Sequence, residues 1–207
     1  MKLYQNKYIA RDLGITDWTL IVEAMHSFIN HYTKSSIEEI WFTEHYSIFT
    51  QGPKHNSKHI INLNNIPIKC SDRGGNVTYH APGQQIIYFL LNLKQRQLYP
   101  KKLIFLIEQL VINTLEIFSI IGYRIDTLPG VYVCDKKICS IALRIKNGLS
   151  LHGLALNVNM DLLPFNYIYP CGNTNMKMTM MSCYNNNVTM DSVKIVLLDQ
   201  LSVFFMR

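Results

Sequence analysis

Hydrophobic positions along this chain recur at two spacings, one typical of helices and one typical of strands. Apolar residues three and four positions apart predict a first amphipathic helix over about 17–33, with Asp17 as its N-cap. Pro100 and Gly122 bracket a second, longer helical pattern. A last helix is predicted from near Thr189 to the end of the sequence. The pattern therefore predicts three helices that are well separated along the chain.

Between these helices the chain carries short segments rich in β-branched, aromatic and other apolar residues. Asn147-Gly148 is the strongest hairpin signal among them. Hairpins rather than regular β-α-β units indicate an α+β sandwich with a mixed or antiparallel sheet and helices on one side. Without repeats or low-complexity linkers, residues 1–207 are expected to form one domain. The predicted strands are 39–42, 47–50, 66–70, 77–79, 85–93, 131–133, 137–145 and 149–158, with a further candidate at 177–183.

Composition narrows the possible classes of function. Hydrophobic residues make up 48% of the 207 residues, as in ordinary globular domains with a sizeable core. No apolar run reaches the roughly 18 residues that a membrane span needs. The segment Met1–Lys7 also lacks the apolar core of a signal peptide. We therefore expect a cytoplasmic protein without membrane contact.

Charge and cysteine content exclude further classes. The net charge is +6, from 20 Lys and Arg against 14 Asp and Glu. The basic residues are scattered, so nucleic-acid binding is not expected, whereas an acidic protein partner remains open. An odd number of cysteines without a CxxC pair, and no HExxH motif, argue against disulfides and structural zinc, and no metal is expected. The cysteines on or beside apolar strand segments are predicted to be core residues: Cys70, Cys134, Cys139 and Cys183.

The segment from Arg73 to Gln84, RGGNVTYHAPGQ, combines an arginine, a histidine and three glycines directly before an apolar strand. Glycines allow the backbone to approach a ligand closely. Arg73 and His80 bring hydrogen-bond donors and a titratable group to the same place. A structural turn rarely needs this combination, so the segment is predicted to form part of a functional site.

Cys171 is the cysteine best placed for chemistry, because a proline restricts the backbone before it and a glycine frees the backbone after it. It is either a nucleophile or a buried cysteine in a turn. A nucleophilic cysteine needs a base or a cation nearby, and His80, His152 and Lys137 are the candidates. Lys137 borders an apolar strand and allows two interpretations. Either desolvation there favours the neutral amine, which could then act as the base, or the lysine merely ends a hairpin strand. His152 interrupts an apolar strand beside Gly153, either as a core histidine or where the glycine clears space for a ligand.

Together these segments resemble the octanoyl-[acyl-carrier-protein]:protein N-octanoyltransferases of lipoate biosynthesis. The matching pieces follow in order from about residue 12 to 182, which is nearly the whole chain. The resemblance implies a fold shared with lipoate and biotin protein ligases, an α+β sandwich around a mixed, mostly antiparallel sheet with flanking helices. The matching pieces are Phe49–Gly52, Ser71–Gln84, Lys137–Ser140, His152–Val158 and Pro170–Gly172.

The resemblance also implies a catalytic cysteine–lysine dyad, which falls on Cys171 and Lys137. Three positions depart from the family pattern, because Ala81, Leu151 and Tyr169 stand where glycine, phenylalanine and asparagine are usual. In the family, the other matching segments line the acyl tunnel and its entrance. The substrate-binding residues implied in this way are Arg73, Gly74, Gly75, Asn76, Val77, Thr78, Tyr79, His80, Ser140, Ile141, Ala142, His152, Gly153 and Leu154.

By this resemblance the reaction moves an octanoyl group from acyl carrier protein, through an acyl-cysteine, to a lysine of a lipoyl domain. The implied partners are octanoyl-acyl carrier protein, the lipoyl domains of 2-oxoacid dehydrogenase complexes and the glycine cleavage H protein. No cofactor is expected, since transfer from thioester to amide is downhill without ATP.

Three alternative functions compete with this transferase. They are an ATP-dependent lipoate ligase of the same fold, a non-catalytic lipoyl-domain or acyl-carrier binder, and a Cys–His hydrolase that releases octanoate. A ligase has no use for a cysteine nucleophile, and a binder requires neither Cys171 nor Lys137. A hydrolase would need His80 or His152 beside the cysteine. The Pro170–Gly172 turn therefore favours the transferase.

Overall fold

The computed structural model describes residues 2–4, 8–53 and 59–205 of the chain. None of the helices in these ranges is both long and apolar enough to cross a membrane. The helices are α1 (Trp18–His31), α2 (Pro100–Ile117) and α3 (Met190–Phe205). The strands are β1 (Lys2–Tyr4), β2 (Tyr8–Thr16), β3 (Glu38–His45), β4 (Ile48–Gln51), β5 (Ile68–Cys70), β6 (Val77–His80), β7 (Gln84–Leu90), β8 (Gly130–Val133), β9 (Lys136–Lys146) and β10 (Leu149–Asn157).

The strands form one large and one small sheet. The large sheet has the order β1-β2-β3-β7-β10-β9-β8, and the small sheet has the order β5-β4-β6. In the large sheet β2 and β3 pair in parallel, and the other pairs are antiparallel. The small sheet contains one parallel and one antiparallel pair. These pairings confirm the predicted α+β fold with a mixed, mostly antiparallel sheet.

Helices cover both faces of the large sheet, so the expectation of helices on one side was wrong. Ile86 and Leu90 of β7 pack in a core with α1, whereas Ile87 and Phe89 pack in a second core with α2 and α3. The strand β7 is buried along its whole length. A strand buried on both faces has a continuous apolar sequence rather than an alternating one, and this is the sequence that β7 carries.

The predicted starts of α1 and α2 and the hairpin turn are confirmed, whereas α2 ends at Ile117, well before the predicted end at Gly122. Asp17 caps α1, since its Oδ1 accepts hydrogen bonds from the backbone N–H groups two and three residues later at 2.7 and 3.2 Å. Pro100 begins α2. Asn147 and Gly148 adopt φ values of +53° and +82° and form the turn between β9 and β10.

Three segments differ from the predicted strands. The strands β1 and β2 were not predicted. The sequence of β2 includes Arg11 and Asp12 and has no clear alternation of polar and apolar residues. The segment 177–183 was a strand candidate but forms no strand. Met178 makes an isolated bridge, and Met181–Cys183 is a 3₁₀ turn.

Only one of the four cysteines expected in the core is buried. Cys139 lies on β9 in the main core. Cys70, Cys134 and Cys183 are exposed, because they lie at a strand end or in a turn, where the neighbouring apolar segment has already left the core.

Replacing Gly153 by alanine is expected to lower the free energy of unfolding by about 3 kcal/mol. Gly153 pairs with both β7 and β9, and an added Cβ would overlap the carbonyl oxygen of Ile87 and approach the Phe89 ring to 2.8 Å. The space beside this glycine is therefore filled by the neighbouring strand. Urea unfolding followed by circular dichroism measures the effect. Gly74→Ala is the control, since its Cβ would approach no atom closer than 3.3 Å, and an equal loss there would contradict this explanation.

Candidate active site

A cavity of about 430 Å³ collects most of the residues that the sequence singled out. It is bounded by the loop before β6, by β7, β9 and β10, and by the N-terminal ends of α1 and α2. All but one of the predicted substrate-binding residues line it, together with Lys137. These residues are Arg73, Gly74, Gly75, Asn76, Val77, Thr78, His80, Lys137, Ser140, Ile141, Ala142, His152, Gly153 and Leu154.

Tyr79 is the predicted substrate residue that does not line the cavity. Its ring packs between Phe49 and Phe165, with ring centroids 5.4 and 5.5 Å away, and its hydroxyl donates to Ser47 Oγ at 3.1 Å. Neighbouring side chains of a strand point to opposite faces. Tyr79 therefore supports the wall from behind and leaves the cavity to the residues on either side of it.

The sequence predicted only part of the apolar lining. Trp18, Ile104, Leu128 and Pro129 line the cavity, and Tyr88 contributes from β7. Four of these residues come from helix starts and from the loop before β8, far apart in the sequence. Apolar side chains carry no chemical signal in a sequence, so only folding reveals that they share one cavity.

Arg73 holds its own loop through hydrogen bonds to the backbone and to Thr50. Its side chain is buried, and Nη2 donates to the backbone oxygen and the Oγ1 of Thr50 at 2.6 and 2.9 Å. Nη1 donates to the carbonyl oxygen of Gly74 at 3.0 Å. Gly75 has a φ of +84°, a conformation that glycine adopts without strain. The arginine thus fixes the glycine-rich part of the wall.

His80 is a neutral structural residue of the wall. Its Nδ1 lies 2.8 Å from Gln84 Oε1 and its Nε2 lies 3.1 Å from Thr50 Oγ1. Burial, with the nearby His45 as a smaller cause, lowers the pKa of His80 to about 3. Both ring nitrogens are engaged within the fold, so this histidine is poorly suited to act as the base.

His152 is held by a carboxylate that the sequence did not single out. Its Nε2 lies 2.7 Å from Asp72 Oδ1, and Asp72 also pairs with Arg144 and His26 at 3.2 Å each. His152 has a φ of +62°, which is uncommon for a residue with a side chain. Burial lowers the pKa of His152, and the Asp72 carboxylate opposes that shift. A neutral His152 would donate from Nε2 to Asp72.

Asp72→Asn is expected to destabilise the fold at pH 7 and to lose this effect in acid. The hydrogen bond from His152 is the main cause that lowers the pKa of Asp72 below its ordinary 3.8. The resulting stabilisation is complete above that ordinary pKa and is lost as the pH falls through it toward the lower folded pKa. Urea unfolding at pH 7 and pH 3 measures it. The exposed Asp126→Asn is the control, and a pH-independent loss in Asp72→Asn would contradict the assignment.

Lys137 is buried in the cavity wall, whereas its neighbour Lys136 is exposed. The backbone of Lys137 donates to Lys177 O at 2.8 Å and accepts from Thr179 N at 2.9 Å. Its Nζ lies 5.4 Å from the centre of the Tyr132 ring. This burial fits the prediction of a lysine held against apolar surface, and its catalytic role stays a prediction.

The backbone around Cys171 forms a 3₁₀ turn against the same wall. The turn runs from Pro170 to Gly172, and Gly172 N donates to Tyr169 O at 2.9 Å. A Cβ added at Gly172, whose φ is +74°, would lie 2.7 Å from Asn76 Nδ2. Because Asn76 lines the cavity, the turn that carries Cys171 adjoins it.

The three departures from the family pattern lie outside the cavity lining. Ala81 is buried in the core under β6, and Leu151 is buried in the core shared with α1. Tyr169 takes part in the turn through its backbone, since its N–H donates to His59 O at 2.8 Å. Among the described residues, no group of three or more His, Cys, Asp and Glu side chains is arranged to hold a metal ion.

The fold and the cavity define a class of protein. The chain belongs to the family of the lipoyl protein ligase A/B catalytic domain, whose family model matches residues 21–202. Octanoyltransferases are similar to it along nearly their whole length. The octanoyltransferase of Buchnera aphidicola subsp. Acyrthosiphon pisum is 52% identical to this chain, over 94% of this chain and 92% of the relative. The octanoyltransferase of Citrobacter koseri is 48% identical, over 92% of this chain and 90% of the relative. Within this family the chain is thus similar to the octanoyltransferases, the group that the sequence motifs resemble.

Solved structures share the fold at low sequence identity. A lipoate-protein ligase A bound with ATP matches with a TM-score of 0.79 at 14% identity, over 97% of this chain and 86% of its own. A biotin protein ligase from Aquifex aeolicus matches with a TM-score of 0.56 at 14% identity, over 99% and 70%. These likenesses confirm the predicted fold class.

Proposed function

We propose that the octanoyl group arrives as the thioester of acyl carrier protein and passes through Cys171 to a lysine of a lipoyl domain. The observation that carries this proposal is the common wall of the cavity. The buried Lys137 lies in that wall, and the turn of Cys171 abuts it at Asn76. No cofactor is required, because the thioester supplies the driving force for amide formation.

In the first step, the amine of Lys137 takes the proton of the Cys171 thiol, and the thiolate attacks the thioester carbonyl. The tetrahedral intermediate collapses with cleavage of the carbon–sulfur bond to the carrier. The departing carrier thiolate takes the proton from Lys137. An acyl-cysteine and a free carrier thiol result. This covalent route divides one transfer into two easier steps.

In the second step, the neutral amine of the target lysine attacks the acyl-cysteine carbonyl. Lys137 accepts the proton that this nitrogen loses. The intermediate then collapses to the amide, and the Cys171 thiolate departs and takes the proton from Lys137. The enzyme returns to its starting protonation state, and no oxidant, reductant or nucleotide is consumed.

The apolar end of the cavity suits the octanoyl chain. The apolar lining includes Ile104 from α2, Leu128 and Pro129 from the loop before β8, and Ile141 and Leu143 from β9. Burying methylene groups there contributes about 0.8 kcal/mol for each CH₂ removed from water. The net charge of +6 also favours binding of an acidic acyl carrier protein and of acidic lipoyl domains. We propose that the lipoyl substrates are the lipoyl domains of 2-oxoacid dehydrogenase complexes and the glycine cleavage H protein.

Intact mass spectrometry tests this proposal. The protein is incubated with octanoyl-acyl carrier protein without ATP, and a lipoyl domain is then added. We expect one octanoyl adduct on the enzyme, located on Cys171 by peptide mapping, which then moves to the lipoyl domain. Strict dependence on ATP without an adduct would indicate a ligase instead. Free octanoate beside an unmodified lipoyl domain would indicate a hydrolase, and no reaction at all would indicate a binder.

A further inference from the structure

Glu108 is a buried carboxylate of α2 that lies directly behind the strand against which Lys137 packs. It is 7% exposed, although charged side chains are seldom so deeply buried without partners. Its Oε1 accepts a hydrogen bond from the backbone N–H of Gly130 at 3.0 Å, and its Oε2 lies 3.2 Å from Arg124 Nε as an ion pair. Neither the sequence motifs nor the proposed chemistry uses this residue.

Gly130 connects Glu108 to the lysine. It begins β8 with a φ of +132°, a conformation that side chains rarely allow. A Cβ there would lie 2.6 Å from Lys137 Cε and 3.3 Å from Lys137 Nζ. The side chain of Lys137 therefore lies directly on the bare backbone of Gly130. The Glu108 hydrogen bond is made to the N–H of that same residue.

The charges of Glu108 and Lys137 act on one buried atom. Burial is the main cause that raises the pKa of the Cys139 thiol to about 12; Lys137 lowers it and Glu108 raises it. The carboxylate and the amine therefore lie within electrostatic range of the same sulfur atom. Arg124, which pairs with Glu108, and Tyr132, whose ring lies beside the Lys137 amine, also face this region.

We propose that Glu108 is a positioning residue for the Lys137 amine. Through its hydrogen bond to Gly130 it holds the surface on which the lysine lies, and its carboxylate supplies a negative charge on the α2 side of that amine. This proposal rests on the catalytic role of Lys137 proposed above. A negative charge in this place favours the ammonium form. It therefore sets the pH at which the lysine becomes able to take a proton.

Glu108→Gln and Glu108→Ala separate the two parts of this role. Glutamine keeps the size and an acceptor oxygen for Gly130 but removes the charge. We expect the rising limb of the pH profile of kcat/KM to move to lower pH by about half a unit or more. Alanine removes the acceptor as well, so the lysine loses its support, and we expect kcat to fall about 10-fold or more. If the alanine variant does not fold, the pH profile of the glutamine variant still tests whether the Glu108 charge acts on Lys137.

Glu38→Gln is the matched control. Glu38 is also a buried carboxylate that accepts a backbone N–H, from Asn92 at 2.6 Å, and that pairs with an arginine, Arg96. It lies on β3, which β7 and β10 separate from the strand of Lys137 in the large sheet. We expect Glu38→Gln to leave the pH profile in place. Equal pH profiles and equal rate losses in the Glu108→Gln and Glu38→Gln variants would overturn the proposal and leave Glu108 a merely structural residue.

A measurement that does not depend on turnover distinguishes this proposal from the proposed function. Trace acetylation with acetic anhydride across pH, read by peptide mass, reports when the Lys137 amine becomes neutral, with Lys136 as the internal reference. We expect the Lys137 curve of Glu108→Gln to move to lower pH and the Lys136 curve to stay. An unmoved Lys137 curve overturns the positioning role. Full turnover of a Lys137 variant would instead overturn the proposed dyad, while the acetylation result would still report on Glu108.

Discussion

Lys137→Met is expected to lower octanoyl transfer by about 10²–10⁴-fold while the protein folds normally, since this is the usual contribution of a positioned proton-transfer group. Methionine retains much of the length and the apolar stem of lysine, and Lys137 lies buried against Tyr132 and Gly130. The variant therefore loses the amine with little change in packing. Rates of lipoyl-domain octanoylation measure the loss, and circular dichroism with urea unfolding confirms the fold.

Lys136→Met is the matched control for this variant. Lys136 is the preceding residue of β9 and is exposed. It carries the same charge one position away on the opposite face of the strand. We expect transfer by Lys136→Met to stay within about twofold of the unmodified enzyme, because exposed charges contribute little. Near-normal turnover by Lys137→Met would remove this lysine from the proton transfers.

Cys171→Ser is expected to lower octanoyl transfer by about 10³-fold or more and to abolish the octanoyl adduct. A hydroxyl is far harder to deprotonate than a thiol, so the nucleophile is lost although the side chain remains nearly the same size. Intact mass after incubation with octanoyl-acyl carrier protein measures the adduct, and the octanoylation rate measures transfer. The exposed Cys183→Ser is the control and should retain both. An adduct that persists in Cys171→Ser would show that another residue is the nucleophile.

The double variant Lys137→Met with Cys171→Ser tests whether the two residues act as one unit. Residues of one catalytic unit show losses that do not add. We expect the double variant to transfer no more slowly than the slower single variant. Fully multiplicative losses would mean that the lysine and the cysteine act in separate steps.

Most of the candidate site was predictable because the sequence concentrates its chemical groups in short segments. Three segments that lie far apart in the chain meet in one cavity: the segment from Arg73 to His80, the segment around Lys137 and the segment around His152. The exception, Tyr79, lies on the far side of the wall. Strand alternation could have suggested this, but the register of β6 against the cavity is decided by its pairing with β4.

The roles of two other residues of the site could not be predicted from the sequence around them. Asp72 carries no signal of its own in the sequence, and its contacts with His152, Arg144 and His26 come from three different elements. Glu108 lies in a regular helical pattern that resembles any amphipathic helix. Its role depends on which backbone N–H lies beneath it after α2 has packed on the sheet.

The sequence by itself determined the three helices, most strands, the sheet class, the family and the segments that form the cavity. These follow from local spacing, from turn chemistry and from motifs, which are properties of neighbouring residues. Only the tertiary structure decided that helices cover both faces of β7, that Lys137 rather than Lys136 is buried, and that Glu108 lies behind Gly130. Such relations depend on long-range packing and strand register, which bring together residues whose separation in the chain carries no information about their distance.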